Sequence, residues 1–377
     1  MERCDVLVLG AGPAGSSCAW GLRDSRLDVR IADRAVFPRD KVCAGWIAPQ
    51  VLTALGIEPE AYRKERLLQP IRGMSLACQG ELPTLVDCGE VVGFGIRRQE
   101  FDHYLLERTN ARQYLGEPTE DLRREAGRWV RNGELSARVL VGAGGHFCPV
   151  ARALGAHPGG AEPATVIARE IEFEMTPAQQ RACAVRPDLP AIVFGRDLHD
   201  RGWVLRKGDW LNVGLGRQDG SDLSRRADEF LTWLTATGRI PVGVPRELRS
   251  HAFLLHADSP RPLAAESVLL VGDAAGVASA HSGEGIRPAV ESGLLAARAI
   301  AAGIRRPPIE MSRAYARAVL SRFGARYGRP HPGLAGRLPE SWRHALVRRA
   351  LASPWFARRF VVDRWFLHRN QAALDPT

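Results

Sequence analysis

The chain opens on an apolar run, Val6-Leu-Val-Leu9, followed by Gly10-Ala-Gly-Pro-Ala-Gly15, a small-residue stretch from Ser16 to Leu22, and Asp28-Val-Arg-Ile-Ala-Asp33. The pattern predicts strand, tight turn, helix and strand. Apolar residues without polar alternation suit a parallel strand buried on both faces. Two later segments repeat the signal, Ala137-Arg-Val-Leu-Val-Gly142 and Ser267-Val-Leu-Leu-Val-Gly272, and each ends in a glycine-rich turn. Three such strands far apart in sequence predict one sheet with a ligand at its carboxyl edge, and therefore a discontinuous domain.

Between these strands the period changes. Thr165 to Phe173 partly alternates, and residues 191–194 and 202–216 are rich in Val, Leu, Trp and Gly, which predicts antiparallel strands of a second sheet. Residues 222–237 carry Ala227, Phe230, Leu231 and Leu234 at helical spacing, with Ser221 placed to cap that helix. Helix is predicted again from residue 284 to about 302, and from Pro307 onward with Pro and Gly breaks near 330–336. The expected fold class is α/β: a discontinuous Rossmann-like domain (1–75, 96–164 and 260–305), an α+β domain on an antiparallel sheet (76–95 and 165–259), and a basic helical C-terminal extension (306–377).

A chain of 377 residues has room for two cores. Its 45% hydrophobic and 25% charged residues are those of an aqueous globular protein, and no stretch approaches the roughly 18 apolar residues of a membrane span. The first strand begins too early to leave space for a secretory leader, so a cytoplasmic location is expected. Seven cysteines (Cys4, Cys18, Cys43, Cys78, Cys88, Cys148 and Cys183), odd in number and without a CxxC pair, argue against a disulfide framework and against a metal site.

The net charge of +10 is local. Residues 305–369 hold fifteen arginines against Glu310, Glu340 and Asp363, a surplus of twelve, which leaves −2 for the rest of the chain. That distribution argues against nucleic acid as a partner and singles out one surface. The same region interleaves Trp342, Leu346, Leu351, Trp355, Phe356, Phe360, Trp365 and Phe366 with the arginines. Two readings follow: a cap packed on a neighbouring domain, or a surface that meets an anionic membrane interface.

The glycine loop carries chemistry because of its context. It follows a strand, opens a helix, and is followed some twenty residues on by Asp33 at the end of the next strand. Gly10 permits the turn, Gly12 lets backbone N–H groups approach a pyrophosphate at the helix N-terminus, Gly15 allows close helix packing, and Asp33 can accept from ribose hydroxyls. A second element near the other end, Leu270-Val-Gly-Asp-Ala-Ala-Gly276 followed by His281-Ser-Gly-Glu-Gly-Ile286, indicates FAD rather than NAD. Asp273 would accept from the ribityl or pyrophosphate end. Gly283, Gly285 and Ile286 would bring backbone amides and a helix dipole to the flavin ring.

Together with Arg97-Arg-Gln-Glu-Phe-Asp102 at a helix start, these elements resemble the flavoprotein monooxygenase superfamily, whose para-hydroxybenzoate-hydroxylase-like fold is implied for residues 1 to about 305. Within it, Phe37-Pro-Arg-Asp-Lys-Val-Cys-Ala-Gly-Trp46 is similar to the cysteine-containing loop of the geranylgeranyl reductase branch. Gly202-Trp-Val-Leu-Arg-Lys-Gly208, followed by Asn212-Val-Gly214, resembles that branch's substrate-sheet motif. The resemblance implies that Pro13, Ala14, Arg34, Arg98 and the run Cys43, Ala44, Gly45 lie against FAD, with Trp46 and Trp203 near ring and substrate. Trp203 reads equally as plain core.

Cys43 and His281 are the candidate acids beside the flavin; the alternatives are a packing cysteine and a surface histidine. The sequence departs from the superfamily at Gly142-Ala-Gly-Gly145, where an aspartate is usual, so the external reductant is open between NAD(P)H and a reduced carrier protein. Ala280 stands where the superfamily has proline. The expected activity is hydride transfer from reduced FAD to a carbon–carbon double bond of an isoprenoid or lipid-like substrate. The alternatives are a monooxygenase working through a flavin hydroperoxide and a non-catalytic flavin-binding protein. A halogenase would show Trp-x-Trp-x-Ile-Pro, which this sequence lacks.

Overall fold

A computed structural model describes residues 1–156, 165–218, 220–326, 339–369 and 371–375. Three sheets organise it. The first runs Ala264–Ala265, Val268–Leu270, Leu135–Gly142, Glu2–Leu9, Val29–Asp33, Arg112–Leu115, and the four central strands pair in parallel with Arg112–Leu115 extending the parallel set. Val6, Leu7 and Val8 are fully buried, as expected of a strand covered on both faces. The three strands expected to share a sheet do so, and their carboxyl ends lie side by side.

Helix Pro13–Gly21 follows the first strand and packs on the long helix Ile286–Gly303. Small residues set the approach: a Cβ on Gly293 would stand 2.2 Å from the Ala14 carbonyl oxygen. The long helix begins at Ile286, two residues later than the sequence pattern suggests, because residues 283–285 form a loop with Gly283 at φ +72°.

The second sheet has seven strands in the order Arg249–Leu254, Thr165–Glu174, Trp210–Arg217, Arg201–Lys207, Ala191–Phe194, Gly73–Cys78, Thr84–Asp87. It is not wholly antiparallel, since Ala191–Phe194 runs parallel to Gly73–Cys78. The chain enters this sheet at Gly73, earlier than residue 76. Residues 93–96 belong instead to a small third sheet with Trp46–Ile47 and Leu68–Ile71. Helix Leu223–Ala236 covers the second sheet with Ala227, Phe230, Leu231 and Leu234 buried, as the spacing predicts. Its cap position is Asp222, at φ +51°, and not Ser221; the Asp222 carboxylate accepts from Arg225 at 3.0 Å instead of from the helix backbone.

The C-terminal extension is helical over Pro308–Phe323, Glu340–Leu351 and Ala357–Phe366, the last wound so that Leu367 N–H donates to Val362 O at 2.9 Å. The predicted breaks near 330–336 lie outside the described residues. Leu351, Ala357, Val361, Val362 and Leu367 pack against Met74, Leu76, Val86 and Leu205 on the second sheet. Trp342 (66% exposed) and Trp355 (69%) point outward. Among the described residues no helix is long and apolar enough to cross a membrane.

Candidate active site

A cavity of about 1260 Å³ runs from the carboxyl edge of the first sheet to the face of the second. It exceeds the roughly 300–1,000 Å³ of common small-ligand pockets. At one end lies the glycine cradle. Gly10 has φ +117°, and a Cβ there would meet the Ala143 carbonyl oxygen at 2.3 Å. A Cβ on Gly15 would fall 1.8 Å from the Gly10 oxygen, so both positions demand glycine. Gly12 occupies the N-cap of Pro13–Gly21 and supplies no capping side chain, and Pro13 and Ala14 of the first turn line the cavity, so this helix end opens on it. Asp33 lies at the end of its strand, where Oδ2 accepts from Ala11 N–H at 2.7 Å and Oδ1 from Ala35 N–H at 2.9 Å. The carboxylate expected to bind a ribose therefore also shapes the loop. Arg34 lines the cavity beside it.

A second helix N-terminus opens on the same space. Gly272, Asp273, Gly283, Gly285 and Ile286 all line it, and Gly285 caps the long helix without a side-chain hydrogen bond. Arg98 sits between the two ends, 8% exposed, with Nε and Nη2 each 2.7 Å from the Asp102 carboxylate. Arg39 Nη2 reaches the same carboxylate at 3.1 Å and lies beside Gly12, while Arg39 Nη1 is buried without a partner. Two uncapped helix N-termini, a cradle that admits no Cβ and a buried guanidinium with an unused donor fit a pyrophosphate-bearing dinucleotide, and FAD is such a group.

The cysteine loop is clamped from the second sheet. Cys43 N–H donates to Glu170, the Cys43 oxygen accepts from Asn212 at 3.3 Å, and Lys207 donates to the carbonyls of Ala44 (3.1 Å) and Ile96 (3.0 Å) while pairing with Glu172. Gly45 has φ +72°, and a Cβ there would collide with the Ile96 oxygen at 2.2 Å. Cys43 Sγ accepts from Gly45 N–H at 3.4 Å. Cys43 thus faces the cavity on a loop that is rigidly held.

Trp203 lays its indole over Gly214, where a Cβ would stand 2.1 Å from the ring, and Nε1 donates to Asn212 at 2.7 Å. Trp46 stacks edge-on with Phe366 at 6.4 Å and covers Gly93. Both indoles line the cavity, so neither is solely core. His281 lines the same cavity as the start of helix Ile286–Gly303. It stands at the rim, exposed and stacked on Trp365 at 5.9 Å, and its carbonyl accepts from Arg201.

Several functional groups escaped the sequence reading. Asp273 accepts from His251 Nε2 at 3.1 Å, and His251 Nδ1 accepts from Lys41 at 2.8 Å. Burial lowers the Lys41 pKa to about 8 and also lowers that of His251, so the imidazole is neutral and links ammonium to carboxylate. Glu170 and Glu284 are buried carboxyls that line the cavity, and burial raises their pKa values to about 7 and about 8 respectively. Glu170 Oε2 has no hydrogen-bond partner, nor has either oxygen of Glu284, which lies 3.9 Å from His368 Nε2. One sequence signal does exist for Glu170. It continues the inward set Val166, Ala168 and is the first charge on that face. Among the described residues no cluster of side chains could hold a metal ion.

No family model matches the chain. It is 29% identical over 322 residues to a menaquinone reductase of Mycobacterium tuberculosis, covering 78% of this chain and 76% of that protein. It is 25% identical over 342 residues to a digeranylgeranylglycerophospholipid reductase of Methanococcus vannielii, covering 88% and 83%. Among solved structures, a geranylgeranyl bacteriochlorophyll reductase-like protein of Thermoplasma acidophilum superposes with a TM-score of 0.77 over 98% of both chains at 20% identity. A halogenase in complex with FAD gives 0.67 over 85% of this chain and 74% of the other, at 15% identity. The resemblance to geranylgeranyl reductases and the flavoprotein fold it implied are both borne out.

Proposed function

We propose that this chain is an FAD-dependent oxidoreductase that reduces carbon–carbon double bonds of an isoprenoid or lipid-like substrate. The observation that carries the reading is the continuity of the cavity. It begins at the glycine cradle, passes the clamped Cys43 loop, and ends on the second sheet at an aromatic and aliphatic wall formed by Trp46, Ile192, Phe194, Trp203, Leu205 and Phe366. Relatives named as reductases of a quinone and of a phospholipid support the same choice.

FAD, when bound, would supply the hydride. The first turn of helix Pro13–Gly21, with Gly12 and Ala14 on the cavity, would hold its pyrophosphate, with Arg98 and Arg39 offering positive charge. The start of helix Ile286–Gly303 would favour negative charge near the ring. The Cys43 loop fixes the spacing between cofactor and substrate sheet, and the aromatic wall excludes water from the reacting double bond. Nothing in the Gly142 to Gly145 turn selects NAD(P)H over a reduced carrier protein as donor.

The test is an anaerobic one. Chemically reduced holoprotein mixed with geranylgeranyl lipids is expected to recover the spectrum of oxidised flavin and to yield a product heavier by two hydrogens. Flavin that stays reduced with every such lipid, and that consumes oxygen with an aromatic substrate and NAD(P)H, would replace this reading with a monooxygenase.

The outer surface of the extension would deliver such a substrate from an anionic bilayer. Trp342, Leu346 and Arg349 share one exposed face of helix Glu340–Leu351, and Trp355, Arg359 and Arg364 extend it. This surface suits an interface of indoles and anionic headgroups. Vesicles containing phosphatidylglycerol are expected to sediment the protein, and purely zwitterionic ones are not. Changing Trp342 and Trp355 together to alanine should weaken binding about tenfold or more, ~1.4 kcal/mol, and equal binding to both vesicle types would refute the idea.

A further inference from the structure

Reducing a carbon–carbon double bond needs a proton as well as a hydride, and the two acids suggested by the sequence are poorly suited to give it. His281 lies at the rim against Trp365. The Cys43 sulfur is already engaged: it accepts from Gly45 N–H at 3.4 Å and interacts with Arg98. The second sheet offers a better group.

We propose that Glu170 is the proton donor of the reductive step, acting from the floor of the substrate half of the cavity. The inference rests on the isoprenoid-reductase reading above. Glu170 is 4% exposed and lines the cavity. One oxygen is anchored by Cys43 N–H, which fixes the carboxyl against the loop that meets the cofactor. The other oxygen has no partner, which is rare for a buried polar atom. Register places Glu170 opposite Gly214, and the Trp203 indole folds over that same glycine, so carboxyl and indole share one patch of the sheet.

The groups facing Glu170 from each neighbouring element do not hold it as a carboxylate. Lys207 is the nearest cation, but it is pinned to Glu172 and to the carbonyls of Ala44 and Ile96. Arg249, its register partner on the edge strand, turns to Asp40 at 3.4 Å. Asn212 stands beside Glu170 but is neutral, and its amide is taken up by Cys43 O and Trp203 Nε1. Burial dominates, raising the pKa to about 7, so the acid form is present at neutral pH.

Glu284 is the rival carboxyl, and its place argues against it. It lies on the loop before helix Ile286–Gly303, at the helix end assigned to the cofactor, with His368 Nε2 3.9 Å from its carboxyl. The balanced step is as follows. One carbon of the substrate's double bond takes a hydride from reduced FAD, which is thereby oxidised. The π electron pair forms a C–H bond at the other carbon with the proton of Glu170, and the carboxylate left behind is reprotonated by water.

The test uses full-length, FAD-loaded protein, reduced anaerobically and mixed with a geranylgeranyl lipid. Glu170→Gln keeps an acceptor for Cys43 N–H, and is expected to bind FAD normally while slowing flavin reoxidation by lipid about 10²–10⁴-fold. Glu170→Asp should recover part of the rate. The parent rate should fall as pH rises through about 7, whereas the residual rate of Glu170→Gln should be flat. A readout independent of turnover is infrared spectroscopy of the FAD-free protein in a Glu284→Gln background: the protonated-carboxyl band that titrates near 7 should vanish when Glu170→Gln is added. Reoxidation of Glu170→Gln within a few-fold of an active parent, or an unchanged carboxyl band, overturns the assignment and leaves the reductase reading standing. A parent that no isoprenoid lipid reoxidises overturns the reading, and the assignment with it.

Discussion

Changing Asp102 to alanine is expected to destabilise the protein by about 3–5 kcal/mol and to yield protein that no longer retains FAD. The carboxylate is fully buried and joins two guanidiniums, Arg98 through paired 2.7 Å contacts and Arg39 at 3.1 Å. Its removal leaves the buried Arg98 and the partly exposed Arg39 face to face, and the cost comes from their lost compensation more than from the lost hydrogen bonds. Arg39 already has one donor without a partner, so it has no spare acceptor nearby. Arg98 would then swing out of the space between the two helix N-termini, taking its charge from the cofactor. Asp102→Asn keeps an acceptor and should fall between parent and alanine variant. Urea unfolding and flavin content after gel filtration measure the two effects. A loss under about 1 kcal/mol with flavin retained would show that the pair is solvated and unimportant.

Much of this arrangement is legible locally. The strand at Val6 to Leu9, the glycine cradle and the turn at Gly272-Asp273 each declare themselves within a few residues, because a strand buried on both faces and a backbone that admits no Cβ impose their own sequence patterns. The sheet partners of Gly73–Cys78 do not. Its parallel neighbour, Ala191–Phe194, lies more than a hundred residues away, and pairing at that separation leaves no periodic trace in either strand. The small sheet carrying the Cys43 loop was missed for a similar reason. Leu68-Gln-Pro-Ile71 reads as a loop, and only its register with Gly93–Ile96 makes it a strand.

The site divides in the same way. Gly10, Gly12 and Gly15 stand where the motif puts them, because the motif is itself the geometry. Asp273 was expected to face the cofactor alone, yet it is tied to His251 and through it to Lys41, residues of two different elements. Glu170 meets Cys43 across 127 positions of sequence, so no spacing rule could join them. His281 sits next to the right helix in sequence and lines the cavity, but the stacking of its ring on Trp365 of the extension is announced by no motif. Motifs therefore located the cofactor half and, through Trp46 and Trp203, part of the substrate half, whereas Glu170 emerged only from the packing of distant segments.

The second large effect is a pH-dependent gain in stability. In FAD-free protein, Glu284→Gln is expected to stabilise the fold by about 3 kcal/mol more at about pH 8 than at about pH 5. Both Glu284 oxygens are buried without hydrogen-bond partners, and burial raises the pKa to about 8 from the ordinary 4.5; Arg287 opposes the rise and Glu291 adds to it. The direction is therefore the reverse of a salt-bridged carboxylate. As pH climbs from 4.5 toward 8, the unfolded chain releases this proton while the folded chain keeps it. The folded state then binds more protons than the unfolded one, so stability falls by about 1.4 kcal/mol per pH unit on account of this group. Glutamine has the shape of the protonated acid and cannot ionise, so it removes that slope. His368, the nearest titratable neighbour at 3.9 Å, has its pKa lowered by burial to about 4 and stays neutral in the folded state throughout the window, so it cannot mask the difference. Urea unfolding of parent and variant at the two pH values reads the effect directly. A gain that is equal at both, or larger at the acidic one, would mean that Glu284 is ionised in the folded protein and that water or a cation reaches its carboxylate.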